Sequence, residues 1–344
     1  MHKSSILAST IVLGTLSAIA QTSSPLVLQR NIELPKVSGR FDHFAMDLQG
    51  HRLFVAATGN HSVEVIDLAT NKVSESVTGL GKPHGLVWVA ATQSLYVADG
   101  ALGELRLYRG RPFKLEGKIK LSDDADDMVL DDATHTLYVG HGGANTANSA
   151  RIGVLDLNTF ALKADIPTAA HPEALDINAK GHRVFANIAD AGEVAVVDSA
   201  TNSMTAHWKL QQVSDNVPIA YDAEHGLLFI ACRAPATLLV LDATSGSEFA
   251  RLPTGSGADD LFYDAALHRV YVIAGTGEID AYQLDADRKL KPLQVLVTAP
   301  GAKTALFVPS QSLLYVGIPS ESGHPAEVRV FATHTSGRSK AGSR

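Results

Sequence analysis

The sequence predicts an all-β fold: a seven-bladed β-propeller built from four-stranded antiparallel blades. Three observations predict it. One strand-sized motif returns about every 42 residues along the chain. Each return carries four short runs rich in Val, Ile and Leu, separated by Gly, Asn, Asp and Ser. The last repeat has three such runs, and a fourth stands alone near the N-terminus.

The repeat is clearest in "DADDMVLDDATHTLYVG", from Asp124, and "GADDLFYDAALHRVYVI", from Gly257. An aromatic anchors each unit, at Phe54, Tyr96, Tyr138, Phe185, Phe229, Tyr271 and Tyr315, with spacings of 42, 42, 47, 44, 42 and 44. The first strand of a unit is an apolar run such as "FAMDL", "GLVWV" or "LFYDA". The second holds the anchor, as in "HRLFVAA", "QSLYVAD" and "HRVYVIA". The third often ends in Asp, as in "SVEVIDLAT", "EVAVVDSAT" and "TLLVLDATS". The fourth is more variable: "KVSESVTGL", "FKLEGKIKL", "EFARLPTG". No stretch after residue 20 has the apolar period of an amphipathic helix.

Four strands per unit, seven units, is the pattern of a propeller. The missing strand of blade 7 is then "LVLQRNIELP", residues 26–35, expected to pair with 327–332 and close the ring. Closure protects sheet edges that an open array would leave bare.

Composition agrees with a large folded domain. The chain has 344 residues, 45% apolar and 19% charged, enough for an extensive core. Residues 1–20 have a basic start at Lys3, a short apolar run and a small-x-small ending at Ala18 and Ala20, the form of a secretory signal peptide. The expectation is a signal peptide over 1–20, one propeller domain over 21–333 and a polar, disordered tail over 334–344. The protein is then exported, periplasmic or extracellular, with no membrane span in the mature chain, and a monomer. The net charge of −7 offers nucleic acid no basic footprint. The single cysteine, Cys232, excludes an internal disulfide and reads as a small buried hydrophobe.

The recurrent "LYVA", "LYVG" and "VYVI" strands and the "VIDLAT"-type strands that follow resemble the YVTN-repeat family, the YncE-like exported seven-bladed propellers. The resemblance spans nearly the whole mature chain. It implies the propeller fold and export, and it leaves the ligand open, because a fold does not carry a function with it.

Repeat position predicts which face a residue occupies. His51, His135, His182, His225 and His268 all fall in the turn between first and second strands. They are expected on the face away from the strand-entry loops, as scaffold. Asp67, Asp156, Asp198 and Asp242 end third strands and are expected to hold turns by accepting backbone N–H groups. The opposite face differs from blade to blade. Its strand-entry loops carry Asp42, His43, His84, Asp127, His171, Glu173, Asn216, Asp260 and Lys303, and Arg233 follows the second strand of blade 5. Two loops there are enlarged, "GHGGANTANSAR" and "GIPSESGHPAEV".

These ten residues are the candidate ligand-binding set at the channel mouth. Asp127, Asp260, His43 and His84 are the candidate holders of a divalent cation, the one cofactor the sequence suggests. Within each Asp pair, strand alternation sends one member to the channel and the other to its loop, and the register of His43 selects Asp127 and Asp260 for the channel. The plainer reading is that these aspartates satisfy unpaired channel N–H groups. Arg233 and Lys303 suit an anionic group. No nucleophile–base–orienter set is recognisable, and no CxxCH haem motif is present. The leading expectation is a non-enzymatic exported propeller binding a small molecule, glycan or protein. The alternative is a metal-assisted, lactonase-like hydrolase or lyase.

Overall fold

The computed structural model describes residues 24–143, 148–321 and 324–333. The signal-like segment and the tail lie outside the described residues, as do 144–147 and 322–323 of the two enlarged loops. The described residues form seven four-stranded antiparallel sheets around one channel. Six sheets take their strands consecutively; blade 1, for example, runs Phe44–Asp47, Arg52–Ala57, Ser62–Asp67 and Lys72–Val77. The seventh takes Ala305–Val308, Leu313–Ile318 and Ala326–Thr333 and completes itself with Leu26–Leu34. Residues from the first strand of every blade line the channel: Phe44, Leu86, Met128, Leu175, Ile219, Leu261 and Ala305.

Packing explains the sequence pattern. Second and third strands are sandwiched between neighbouring blades, so both of their faces are buried, as in Arg52–Ala57. Such strands read as continuous apolar runs. Outer strands face solvent on one side and alternate, as in Ser203–Lys209. The seven anchor aromatics are all buried between blades. Seven apolar clusters result, one in each gap; Phe54, Val63 and Val65 of blade 1, for instance, meet Leu86, Leu95 and Val97 of blade 2.

The turn histidines have a backbone reason for being where they are. The residue just before each second strand is left-handed: His51, Gln93, His135, His182, Gly226, His268 and Ser312 have φ between 47° and 64°. The carbonyl of His51 accepts the N–H of Leu68, and that of His135 the N–H of Leu157, which ties the turn to the end of the third strand. His225 sits one residue earlier and bonds Asp222 through Nδ1 at 2.6 Å. Asp67, Asp156, Asp198 and Asp242 accept turn N–H groups at 2.8–2.9 Å, from Ala69, Asn158, Ala200 and Ser245.

Closure is built as the sequence suggests. Leu26 pairs with Thr333 and Leu34 with Ala326, one residue further at each end than the expected partner strand. Every blade carries a register shift between its third and fourth strands, and the N-terminal strand shares it, between Leu28 and Arg30. A bulge increases local twist and lets the outer strand curl away from its neighbour. Ile32 and Leu34 pack against blade 1, while Leu26 packs against blade 6. One strand therefore ties three blades.

Cys232 is buried, and burial pushes its thiol up to about 12. A thiol reagent should label it only after unfolding; fast labelling of native protein would contradict this. Deleting residues 24–34 should remove the burial of Leu26, Ile32 and Leu34, on the order of 5 kcal/mol, and expose the edge of Ala326–Thr333. Thermal melts and size-exclusion chromatography should show a large loss of Tm and self-association. An unchanged Tm would refute closure by this strand.

Candidate binding site at the channel mouth

Backbone pairing extends the first strands upstream and fixes the entry residues. In blade 1 the N–H of Asp42 donates to Ala56 O, and the N–H of Ala56 to His43 O. In blade 3 the N–H of Asp126 donates to Gly140 O, and that of Gly140 to Asp127 O. Asp42 and Asp126 are thus equivalent, as are His43 and Asp127. His84 lies in the first strand of blade 2, Pro83–Val89. His171 immediately precedes the first strand of blade 4, Pro172–Asn178, which contains Glu173.

These side chains surround a mouth cavity of about 250 Å³, lined by Arg40, Asp42, His43, Lys82, His84, Asp124, Asp126, Glu173, Val217, Arg233, Asp259 and Lys303. A second cavity, of about 380 Å³, lies among the first strands and shares His43 and Asp259 with the first. A larger groove of about 930 Å³ runs between Leu26–Leu34 and the outer strand of blade 1. It is the gap left by diverging outer strands.

Most charges in the mouth are paired, and apart from Arg40–Asp42 within blade 1 these pairs cross blades. Arg40 Nη1 meets Asp42 Oδ2 at 2.9 Å, and Lys82 Nζ meets Asp124 Oδ1 at 2.8 Å. Asp259 takes two cations, Arg233 and, at 2.5 Å, Lys303. Burial, with repulsion from Arg233 and Arg40, holds the Lys303 ammonium below its usual pKa.

The histidines are held as cations. Burial alone would lower His43, but Asp260 and Asp127 raise it well above its ordinary value. Its Nδ1 is 3.3 Å from Asp260 Oδ1, and its Nε2 is 3.6 Å from Asp42 and 3.9 Å from Asp127. His84 Nδ1 lies 2.9 Å from Asp42 Oδ2 and 3.1 Å from Asp126 Oδ1. Against its burial, these carboxylates raise His84 to about 9. Asp126 likewise raises the buried His171 to about 9. In return, and again against burial, His84 and His171 hold Asp126 well below the carboxylate range, and His84 and His43 lower Asp42.

The two Asp pairs divide by depth. Asp127 and Asp260 line the channel, and each also pins the next blade: Asp127 Oδ2 accepts Leu175 N–H at 2.8 Å, and Asp260 Oδ2 accepts Ala305 N–H at 2.6 Å. Burial pushes Asp127 up to about 6. Their free oxygens face the His43 imidazolium, so the cation these carboxylates need is already supplied by the chain. Asp126 faces the mouth instead, and Asp259 borders both cavities. Asp127 and Asp260 thus stand where the register of His43 placed them, whereas Asp126 and Asp259, which precede the strands Met128–Asp131 and Asp260–Asp264, reach the mouth cavity rather than only their loops.

Of the expected set, the structure brings Asp42, His43, His84, Glu173, Arg233 and Lys303 to the mouth cavity. His171 stands behind Asp126, its Nε2 3.5 Å from Asp126 Oδ2. Asn216 is not brought there: it is wholly buried, and its Nδ2 donates to Glu193 O at 3.0 Å, across the blade 4–5 gap. The expected cation set is split, because His84 contacts Asp42 and Asp126 rather than Asp127 and Asp260. Arg40, Lys82, Asp124, Asp126 and Asp259 complete the mouth. A signal for the two cations was present, since "GR", "GK" and "GAK" recur in the entry loops of blades 1, 2 and 7.

Two trios of potential metal ligands occur in the mouth, Asp42–His43–Asp126 and Asp126–His171–Glu173, each with one ligand atom per residue within 4.8 Å of the others. A third, Glu224–His225–His268, lies at the turns of the opposite face.

No protein-family model matches the chain, and no curated protein sequence matches it. Solved structures do. A chain of Kuenenia stuttgartiensis hydrazine synthase is similar at 16% identity and a TM-score of 0.72, over 92% of this chain and 99% of that one. A chain from the crystal structure of a mitotic checkpoint complex is similar at 12% identity and a TM-score of 0.76, over 96% and 99%. The shared feature is the propeller fold. At such identities the likeness carries no ligand or activity over.

The histidine charges make the propeller's stability depend on pH. Folding raises His84 and His171 from 6.5 to about 9. The stability they confer is complete below pH about 6.5 and is lost as pH rises through about 9, on the order of 3 kcal/mol per group. Thermal melts should show Tm falling over that interval, and His84→Gln should flatten the fall. A wild-type Tm that is level from pH 6.5 to 9.5 would show that these carboxylates do not hold the imidazoles charged.

Proposed function

We propose that this chain is an exported, YVTN-repeat-like propeller that binds a small anionic ligand at its channel mouth. The observation that carries the reading is the pairing at Asp259. Two half-buried cations, Arg233 and Lys303, share this single carboxylate at the cavity wall, which leaves an excess of positive charge there. Arg40, whose partner is Asp42, adds a third cation on the same cavity. A carboxylate or phosphate group entering the mouth would accept from the remaining guanidinium and ammonium donors, and charge-assisted bonds of this kind are strong. Supporting binding rather than turnover, His43 and His84 are held as imidazolium by carboxylates, so neither is free to act as a base.

Export rests on the signal-like form of residues 1–20. A metal-assisted, lactonase-like hydrolase or lyase is the second reading. The Asp126–His171–Glu173 trio favours it, because such chemistry needs a cation held by this kind of donor set.

The test is calorimetric titration of EDTA-treated protein with mono- and dicarboxylates, phosphate and sugar phosphates, alongside neutral sugars. An anion should bind. Arg233→Ala and Lys303→Ala should each weaken it roughly 10- to 100-fold, while Lys163→Ala, on an outer strand away from the mouth, should change it little. Binding of neutral sugars alone, or anion binding indifferent to both substitutions, would overturn the anionic-ligand reading.

A further inference from the structure

The geometry points to a divalent transition-metal site, Zn²⁺ by preference, formed by Asp126, His171 and Glu173 across the junction of blades 3 and 4. It deepens the ligand-binding reading of the same mouth and rests on it only for what the ion would then bind.

Three observations converge on it. First, the orientation of the His171 ring is set by its surroundings, so an ion arriving at Nε2 displaces one defined imidazolium proton, the one on Nε2. Its Nδ1 lies 2.7 Å from the carbonyl oxygen of Gly142, which can only accept, so Nδ1 carries a proton. The other nitrogen, Nε2, is turned toward Asp126. An outer carbonyl that fixes ring and tautomer is the usual companion of a metal-bound histidine. Second, His171 is 6% exposed, and its Nε2 is buried without a hydrogen-bond partner among the described residues. A buried polar atom left this way is costly unless a ligand completes it. Third, the spacing suits an ion better than a hydrogen bond. Nε2 and Asp126 Oδ2 are 3.5 Å apart, beyond good hydrogen-bond range. Two donors on a tetrahedral ion, each ~2.1 Å from it, stand roughly 3.4 Å apart.

Glu173 supplies the third donor. It stands at the start of the strand Pro172–Asn178, just after His171, and one ligand atom from each of Asp126, His171 and Glu173 lies within 4.8 Å of the others. One imidazole and two carboxylates suit zinc and its first-row neighbours, whereas calcium and magnesium prefer oxygen throughout. The second oxygen of Asp126, Oδ1, is 3.1 Å from His84 Nδ1, which would orient the carboxylate from behind. Asp126 and Glu173 line the mouth cavity, so a fourth coordination position would open toward Arg233 and Lys303. The ion and the two cations would then grip one anionic ligand from two sides.

The test is titration of EDTA-treated full-length protein with Zn²⁺, followed by calorimetry and thermal melts, and with Co²⁺, followed by visible absorption. No anionic ligand is needed, so failure here leaves the anion-binding reading standing, and failure of that reading leaves this one standing. One ion per chain should bind at micromolar or lower concentration, raise Tm by mass action and give the intense bands of tetrahedral cobalt. His171→Ala and Glu173→Gln should each cost more than about 100-fold in affinity. Glu173→Gln keeps the shape of a residue at the cavity wall, so it reports on the site even where His171→Ala disturbs folding. His268→Ala, in the opposite-face trio, should leave the ion bound. The proposal is overturned if the wild type takes up no ion, if Glu173→Gln binds as the wild type does, or if His268→Ala abolishes binding.

Discussion

The antiparallel pairing of Leu26–Leu34 with Ala326–Thr333 is the contact through which the two ends of the chain meet, and the mouth depends on it. A first strand can present its entry residues to a common cavity only if every blade keeps its place in the ring. The closing strand fills the outer edge of blade 7, packs Ile32 and Leu34 against blade 1, and packs Leu26 against blade 6. Polar contacts reinforce both sides: Arg30 donates to Asn71 of blade 1, and Gln294 of blade 6 accepts the N–H of Leu26. The strand thereby adds to the packing of blade 7 on blade 1 that fixes Asp42 relative to Lys303, and the mouth draws on both.

Ring geometry also creates the polar problem that the channel solves. First strands of adjacent blades diverge too far for a shared ladder, so N–H groups on their channel side need other acceptors. Asp127, Asp176 and Asp260 supply them, accepting from Leu175, Tyr221 and Ala305 of the following blade. Burial pushes both Asp127 and Asp176 up to about 6. Packing carboxylates this closely requires positive charge, and His43 sits between Asp127 and Asp260 to provide it. Structure and electrostatics are therefore one arrangement here: the acids that stitch blades together also set the protonation of the mouth.

Above that layer the balance changes. Asp126 serves two histidines, and Asp259 serves two cations. The first is a surplus of ligand donors and the second a surplus of positive charge, on opposite sides of a cavity of about 250 Å³. Such polarity suits a ligand with an acidic group that can also approach a metal ion.

The sequence alone determined the blades. Anchor aromatics at Phe54 through Tyr315, the third-strand aspartates and the unpaired N-terminal run are local signals, because each strand's burial and each turn's hydrogen bonding are decided within a single repeat. It also assigned His51, His135, His182 and His268 to scaffold, and their left-handed turn positions give the reason. What it did not determine was the pairing inside the mouth. Parity selected Asp127 and Asp260 for the channel, but it did not place Asp126 and Asp259, which lie just before their strands and reach the mouth. Asn216 looked like a mouth residue, yet it pins Glu193 inside the blade 4–5 gap. Which nitrogen of His171 meets Asp126, and which cations meet at Asp259, depends on distances between different blades. Those distances are set by the radius and closure of the ring, so only the tertiary structure decided them.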